Sequence, residues 1–256
     1  MNPMINIATS AIRKAGNFII KCYDSNFFFE KKYDGNYLFF NEIIKKSENI
    51  IINEIHKYYP NHIYITDKNI NFKLKKTKIY WFINSLDGLF NFNNKFPHFC
   101  TLISNFINNN IFMSVIYDPL RNELFTSIKG EGSKLNGYRM RCNNKKINNN
   151  IILSINISKE NKLVKNKYIE IFKMLLKKNI KIRMTGSDIL DFAYVASGRL
   201  DCLIIEKDNI FNFLSGELQV KESGGLTNKI LKNFNININN NTVIVGNNRS
   251  IKKIIF

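Results

Sequence analysis

The stretch Asn84-Ser85-Leu86-Asp87-Gly88-Leu89-Phe90-Asn91-Phe92 holds the residues best placed for chemistry. It follows Trp81-Phe82-Ile83, an apolar run that reads as a buried strand, and Asp87-Gly88 is a strong turn signal. A carboxylate at the end of a buried strand is how a chain presents oxygen ligands to a hard cation such as Mg²⁺. That chemistry needs several anionic side chains converging on a small volume. The loop supplies one, Asp87, with the neutral Asn84 three residues before it. It has the outline of a metal loop and little of the charge.

No other metal or redox signature is present. Cys22, Cys100, Cys142 and Cys202 include no CxxC pair, and His56, His62 and His98 give no HxxxH spacing. The expectation is reduced, mostly buried thiols in a cytoplasm. Arg13, Lys14 and Gly16 interrupt the first helix, so no signal peptide is read there, and no apolar stretch approaches a membrane span. The reading is a soluble cytoplasmic protein with no membrane partner.

The 256 residues suffice for one large domain or two small ones, and 45% hydrophobic content suits a globular core. Lys and Arg number 38 against 20 Asp and Glu, a net charge of +18. Such a balance suits polyanion partners such as RNA. Asn, Ile, Lys, Phe and Tyr all have A+T-rich codons, and drift in an A+T-rich genome would also add lysine. The charge alone does not choose between these two origins.

The elements that must position the loop follow from periodicity. Residues 3–23 form a helix on the spacing of Ile5, Ala8, Ile12, Ala15 and Ile19. A second helix spans 40–59, with Ile44, Ser47, Ile51 and Ile55 inward and Pro60 as its stop. Strands at 62–66, 78–84, 99–107, 111–117 and 123–128, separated by tight turns, predict an antiparallel meander. The second half alternates: strand 151–156, helix 162–178, strand 180–184, helix 187–197, strand 201–206, helix 210–223. Gly224-Gly225 stops that last helix, and strand 242–246 and a short helix close the chain. Alternation of this kind indicates a layered α/β architecture. The Asn-rich tracts Asn143–Asn150 and Asn235–Asn241 read as loops, the first as a linker. Residues 1–142 are then an N-terminal α+β half and 151–256 a C-terminal α/β half, together one compact unit.

Four blocks in this order resemble the inositol monophosphatase family. They are NPMINIATSAIRKAGNFI at the start, VIYDPLRNELFTSIKGEGSKLNGYRMR over Val115–Arg141, RMTGSDILDFAYVASGRLD over Arg183–Asp201, and SGELQVKESGG over Ser215–Gly225. With the strand–LDG loop they cover nearly the whole chain. The resemblance implies an αβαβα sandwich, usually dimeric, and Mg²⁺-dependent hydrolysis of a phosphate monoester such as inositol 1-phosphate.

The resemblance also says which ligands have changed. The family's Glu-Glu-Ser motif falls on Thr66-Asp67-Lys68, so Asp67 keeps a carboxylate and Lys68 sets a cation beside it. The central Asp-Pro-Leu-Asp-Gly-Thr-Thr-Asn-Phe motif becomes Asn84 to Phe92: Asn84 replaces a ligand carboxylate, and Leu89 replaces the threonine that orients the attacking water. The late Trp-Asp becomes Phe211-Asn212, and an Asp-x-Val-Thr-x-x-Asp pattern falls on Leu38, Asn41 and Ile44 without its acids. A residual ion would rest on Asp67, Asp87 and the Leu86 carbonyl, and bind weakly or not at all. By the same alignment Leu86, Asp87, Gly88 and Arg183 would face a substrate, although Arg183 serves equally as an ion-pair or dimer contact. Glu206 resembles a substrate-binding acid, but the loop from it to Asn212 is one residue short.

Two functional classes follow. The first is a catalytically inactive scaffold: bacterial members of the family join the antitermination complex on ribosomal RNA operons, where they contact NusA and RNA polymerase and aid RNA folding and ribosome biogenesis. The second is a Mg²⁺-dependent inositol-1-phosphatase with altered ligands.

Overall fold

The structure, a computed structural model, describes residues 3–25, 37–66, 75–143, 151–156, 162–207, 209–229 and 242–255. Asp67, Lys68, most of the first Asn-rich tract and all of the second lie outside the described residues.

Among the described residues two helices come first, α1 (Pro3–Asp24) and α2 (Tyr37–His56). Seven strands follow: β1 (Ile63–Thr66), β2 (Ile79–Asp87), β3 (Cys100–Ile107), β4 (Asn110–Asp118), β5 (Glu123–Ile128), β6 (Gly132–Leu135) and β7 (Tyr138–Arg139). They form one sheet in chain order. A short helix, α3 (Leu89–Asn93), sits between β2 and β3 where the sequence suggests only a turn. The second half gives β8 (Ile152–Ile155), α4 (Lys162–Lys177), β9 (Lys181–Arg183), α5 (Asp188–Ala196), β10 (Cys202–Glu206), α6 (Ile210–Glu222), β11 (Leu226–Lys229), β12 (Thr242–Gly246) and α7 (Asn248–Ile255). Its sheet runs β11-β12-β10-β8-β9.

The expected antiparallel meander holds from β2 to β7 and fails at β1. That strand pairs with β2 in parallel, Ile63 opposite Tyr80 and Thr66 opposite Ile83. A hairpin of two to five residues forces antiparallel pairing, but twelve residues separate Thr66 from Ile79, enough for a crossover.

Alternation along the strands assigns the layers. In β2, Trp81 and Ile83 pack with Ile5, Ala8, Ile12 and Ala15 of α1 and with Ile51 and Ile55 of α2. Tyr80 and Phe82 face the other way, toward Leu190, Phe192 and Ala193 of α5 and Phe211 and Phe213 of α6. The same cluster takes in Leu203 and Ile205 of β10 and Val243 and Val245 of β12, so α5 and α6 are shared by both sheets. On the far face, Ile204 and Ile244 meet Tyr168, Ile171 and Leu175 of α4 and Ile251 and Ile254 of α7. The order is helices, sheet, helices, sheet, helices: an αβαβα sandwich. At Gly216 an added Cβ would come within 2.3 Å of the Phe192 ring, so the α5–α6 contact depends on a residue without a side chain.

The central helix α6 is fixed to the first sheet by polar groups. Gln219 donates through Nε2 to the Ser114 carbonyl at 3.0 Å and accepts through Oε1 from Ser127 Oγ at 2.5 Å. Ser215 Oγ lies 2.8 Å from Ser104 Oγ. Buried hydroxyl and amide groups cost several kcal/mol when unpaired, and here they meet each other.

Candidate functional site

The end of β2 and the start of α3 form the loop singled out in the sequence. Gly88 stands at φ +82, and a Cβ there would lie 2.8 Å from the His98 carbonyl oxygen. The left-handed turn lets the chain reverse into α3 against the 97–99 segment. Leu86, Phe92 and Phe99 bury themselves with Ile19 of α1 and Ile43 of α2 beneath it. Two polar contacts fix the loop's flank: Ser85 Oγ donates to the Ile44 carbonyl at 3.3 Å and Thr101 Oγ1 to the Ser85 carbonyl at 2.9 Å.

Asn84 and Asn212, 128 residues apart, meet at this point. Asn84 Nδ2 donates to Asn212 Oδ1 at 3.4 Å, and Asn84 Oδ1 accepts from the Leu86 N–H at 3.3 Å. Asn212 is set there by the first turn of α6, where Asn209 at the N-cap accepts from the Phe211 and Asn212 N–H groups at 3.0 and 3.1 Å. One amide–amide hydrogen bond thus joins the two side chains. A pair of carboxylates at this spacing would repel without a cation between them.

Asp87 is held by protein donors. Its Oδ2 accepts from Ser187 Oγ at 2.5 Å and from the Ile189 N–H at 3.1 Å. Ser187 is the N-cap of α5 but makes no side-chain cap bond of its own. The Asp87 carboxylate takes that place, reaching an orphan N–H of the first turn from another element. Burial is the largest influence on Asp87 and pushes its pKa up; the Ser187 and Ile189 bonds pull it down, and Asp191 nearby adds to the rise.

A second acid, Asp191, is fully buried one turn further along α5. Its Oδ2 accepts from Ser154 Oγ and Thr185 Oγ1, both at 2.6 Å, and from Asn156 Nδ2 at 3.1 Å. Its Oδ1 lies 3.5 Å from His98 Nε2. Asn91 completes the network by donating to the His98 and Thr185 carbonyls, both at 2.7 Å. The sequence reading named none of Asn91, His98, Ser187 and Asp191 as site residues. One local signal was available, a serine before a helical run at Ser187. For the others the deciding contacts are distant in the chain, Asn91 to Thr185 across 94 residues and Ser154 to Asp191 across 37, beyond any local pattern.

The remaining positions lie apart from this network. Leu89 is half-buried at the start of α3, and Phe90, 68% exposed, stands beside it. Arg183 is exposed at the end of β9 and donates to the Ile182 carbonyl at 2.9 Å. Glu206 ends β10 opposite Thr242. Leu38, Asn41 and Ile44 fall on α2, with Asn41 exposed. Asp67 is outside the described residues.

Comparison with known proteins decides the family. Residues 1–255 match the model of the inositol monophosphatase family. The chain belongs to the inositol monophosphatase family. Among relatives within it, the protein named Nus factor SuhB of Buchnera aphidicola from Schizaphis graminum is 46% identical over 233 residues, 91% of this chain and 86% of that protein. Nus factor SuhB of Escherichia coli K12 is 36% identical over 255 residues, 100% of this chain and 95% of its own. Two solved structures share the fold. The extragenic suppressor protein suhB from Bartonella henselae superposes with a TM-score of 0.82 at 23% identity, covering 99% of this chain and 97% of that one. An inositol monophosphatase from Anabaena gives 0.76 at 24%, covering 98% and 92%.

The inositol monophosphatase donor set can be tested against these residues. Mg²⁺ sheds its water reluctantly and takes carboxylates at near-octahedral positions. Among the described residues no three His, Cys, Asp or Glu side chains converge where a metal ion could sit. Asn84 and Asn212 are bonded to each other, and Asp87 Oδ2 is bonded to Ser187 and Ile189. The described residues do not fit a multi-ion centre. Their arrangement gives them a structural role, in which they tie β2, α5 and α6 together.

Proposed function

We propose that this chain acts as a Nus factor in transcription antitermination on ribosomal RNA operons, as a protein scaffold without phosphatase activity. One observation carries the reading. Asn84 and Asn212, at family ligand positions, hydrogen-bond each other at 3.4 Å, in a chain similar in sequence over 86% and 95% of the length of two relatives named Nus factor. Selection on phosphate chemistry would retain the acids; selection on surfaces retains the fold and lets them go. In this reading the two halves, 1–142 and 151–256, form one structural unit. It works in the cytoplasm beside NusA, RNA polymerase and nascent ribosomal RNA, as a homodimer. No helix among the described residues is long and apolar enough to cross a membrane, which agrees with such a place. Magnesium is not required for that role, and any binding through Asp67, Asp87 and the Leu86 carbonyl is weak.

The test compares two activities of one purified protein. Hydrolysis of inositol 1-phosphate in Mg²⁺ is measured beside rescue of ribosomal RNA antitermination in cells lacking their own factor. Asp87→Asn is the informative variant, because an amide oxygen can still accept from Ser187 and Ile189. The scaffold predicts no turnover and full rescue by both proteins. Turnover at the level of an intact family member, lost in Asp87→Asn, would establish the phosphatase instead.

A further inference from the structure

The outer helical layer of the second sheet is strongly basic. The helices α4 and α7, residues 162–177 and 248–255, are twenty-four of 256, yet they hold eight of the 38 Lys and Arg and one of the 20 acids, a net of +7 out of +18. Drift in base composition adds lysine along the whole chain; it does not clear acids from one layer. The fold brings the two segments together. α4 and α7 lie on the same face of the β8–β12 sheet and share a core. Lys178 Nζ donates to the Lys253 and Ile254 carbonyls at 3.1 and 3.0 Å, tying one helix to the other. Lys173, Lys177, Arg249 and Lys252 are exposed on this layer, whereas Lys181 and Arg183 alternate with Ile182 along β9 and fall on the sheet's other face. Glu170, the one acid, is bonded to Lys173 at 2.7 Å.

We infer that this layer is a docking surface for the sugar–phosphate backbone of RNA, read without regard to sequence. The choice of RNA over other polyanions rests on the antitermination reading; the surface itself rests on its charge and shape. At 16 residues α4 is about 24 Å long, enough to follow several successive phosphates. Other partners fit less well. A bilayer takes up the apolar face of an amphipathic helix, and here those faces are spent on the core through Tyr168, Ile171, Leu175, Ile251 and Ile254. A protein partner wants a contiguous apolar centre, and the exposed aliphatics among the described side chains of α4 are two, Ile169 and Leu176. Among the described residues of α4 and α7 no aromatic ring is exposed to stack on a base, so recognition is through phosphate alone.

The experiment is fluorescence anisotropy of the full chain with labelled RNAs of unrelated sequence across a salt series. The natural protein should bind them within a fewfold of one another, with affinity falling steeply as salt rises. Replacing Lys173, Lys177, Arg249 and Lys252 together by Gln should lower the log–log salt slope by about 3 to 4 and weaken binding at least tenfold, near one counterion per cation. Arginine at the three lysine positions, with Arg249 kept, should restore binding. Gln at Lys45, Lys46, Lys129 and Lys134, exposed on other elements, makes the same change in net charge and should leave the slope within about 1 of the natural value. Equal weakening by this control set would overturn the proposal. Tighter binding to anionic vesicles or to duplex DNA than to RNA would overturn it too. RNA binding unchanged in the first set, with antitermination intact, removes this surface alone. Antitermination missing in a protein that still binds RNA removes the functional reading alone.

Discussion

Asp87 and Ser187 stand a hundred residues apart and are joined by a hydrogen bond of 2.5 Å, the serine hydroxyl donating. The carboxylate also accepts from the Ile189 N–H and so caps α5 from outside it. The acid thereby anchors the first sheet to the helical layer shared by both sheets.

That anchor predicts opposite outcomes for two substitutions. Asp87→Ala leaves the Ser187 hydroxyl and the Ile189 N–H without their acceptor and should cost about 1–3 kcal/mol. Asp87→Asn keeps an acceptor and removes a charge that burial disfavours, so its denaturation midpoint should match or exceed the natural one. Urea melts of the three proteins check both; equal loss from Ala and Asn would show that the charge, not the acceptor, matters.

Restoring the family's acids should reinstate a need for metal. In Asn84→Asp with Asn212→Asp, two carboxylates replace amides that now touch at 3.4 Å. Their repulsion should lower stability by about 1–4 kcal/mol in chelator, and Mg²⁺ should recover most of it. The natural chain should show no Mg²⁺-dependent change in melting temperature. Calorimetric scans with and without Mg²⁺ distinguish the cases.

Gly88→Ala should be costly despite its size. The new methyl would meet the His98 carbonyl at 2.8 Å, at a residue whose φ of +82 already disfavours a side chain. A loss of about 1–3 kcal/mol is expected, visible as a lower melting temperature. Unchanged stability would mean that the 97–99 segment yields easily.

Acid should weaken the α1–α2 contact through Glu54. Bonds from Lys14 at 2.7 Å and Lys57 at 3.0 Å lower its pKa from 4.5 to about 2. The folded chain holds this proton less tightly than the unfolded one, so the stabilisation is full above the unfolded pKa and fades as pH falls from about 4.5 toward 2. Glu54→Gln should flatten that part of the stability–pH curve and leave the region above pH 6 parallel to the natural profile.

Much of the architecture was legible before any coordinate. The first helix buries Ile5, Ala8, Ile12, Ala15 and Ile19 as its spacing implied, because period 3.6 is a local property. The parallel β1 was not legible, since alternation fixes a strand's faces and says nothing of its partner's direction. Helix α3 was missed for a related reason: five residues are too short for periodicity to register.

For the site, sequence alone determined the charge: Asn84, Leu89 and Asn212 are neutral as a matter of residue type. Only the tertiary structure decided what the remaining groups do. Asn84 meeting Asn212, Asp87 meeting Ser187, and the cations of α4 and α7 sharing one face are long-range contacts. They come from burying two sheets against common helices, a packing energy that no window of local sequence contains.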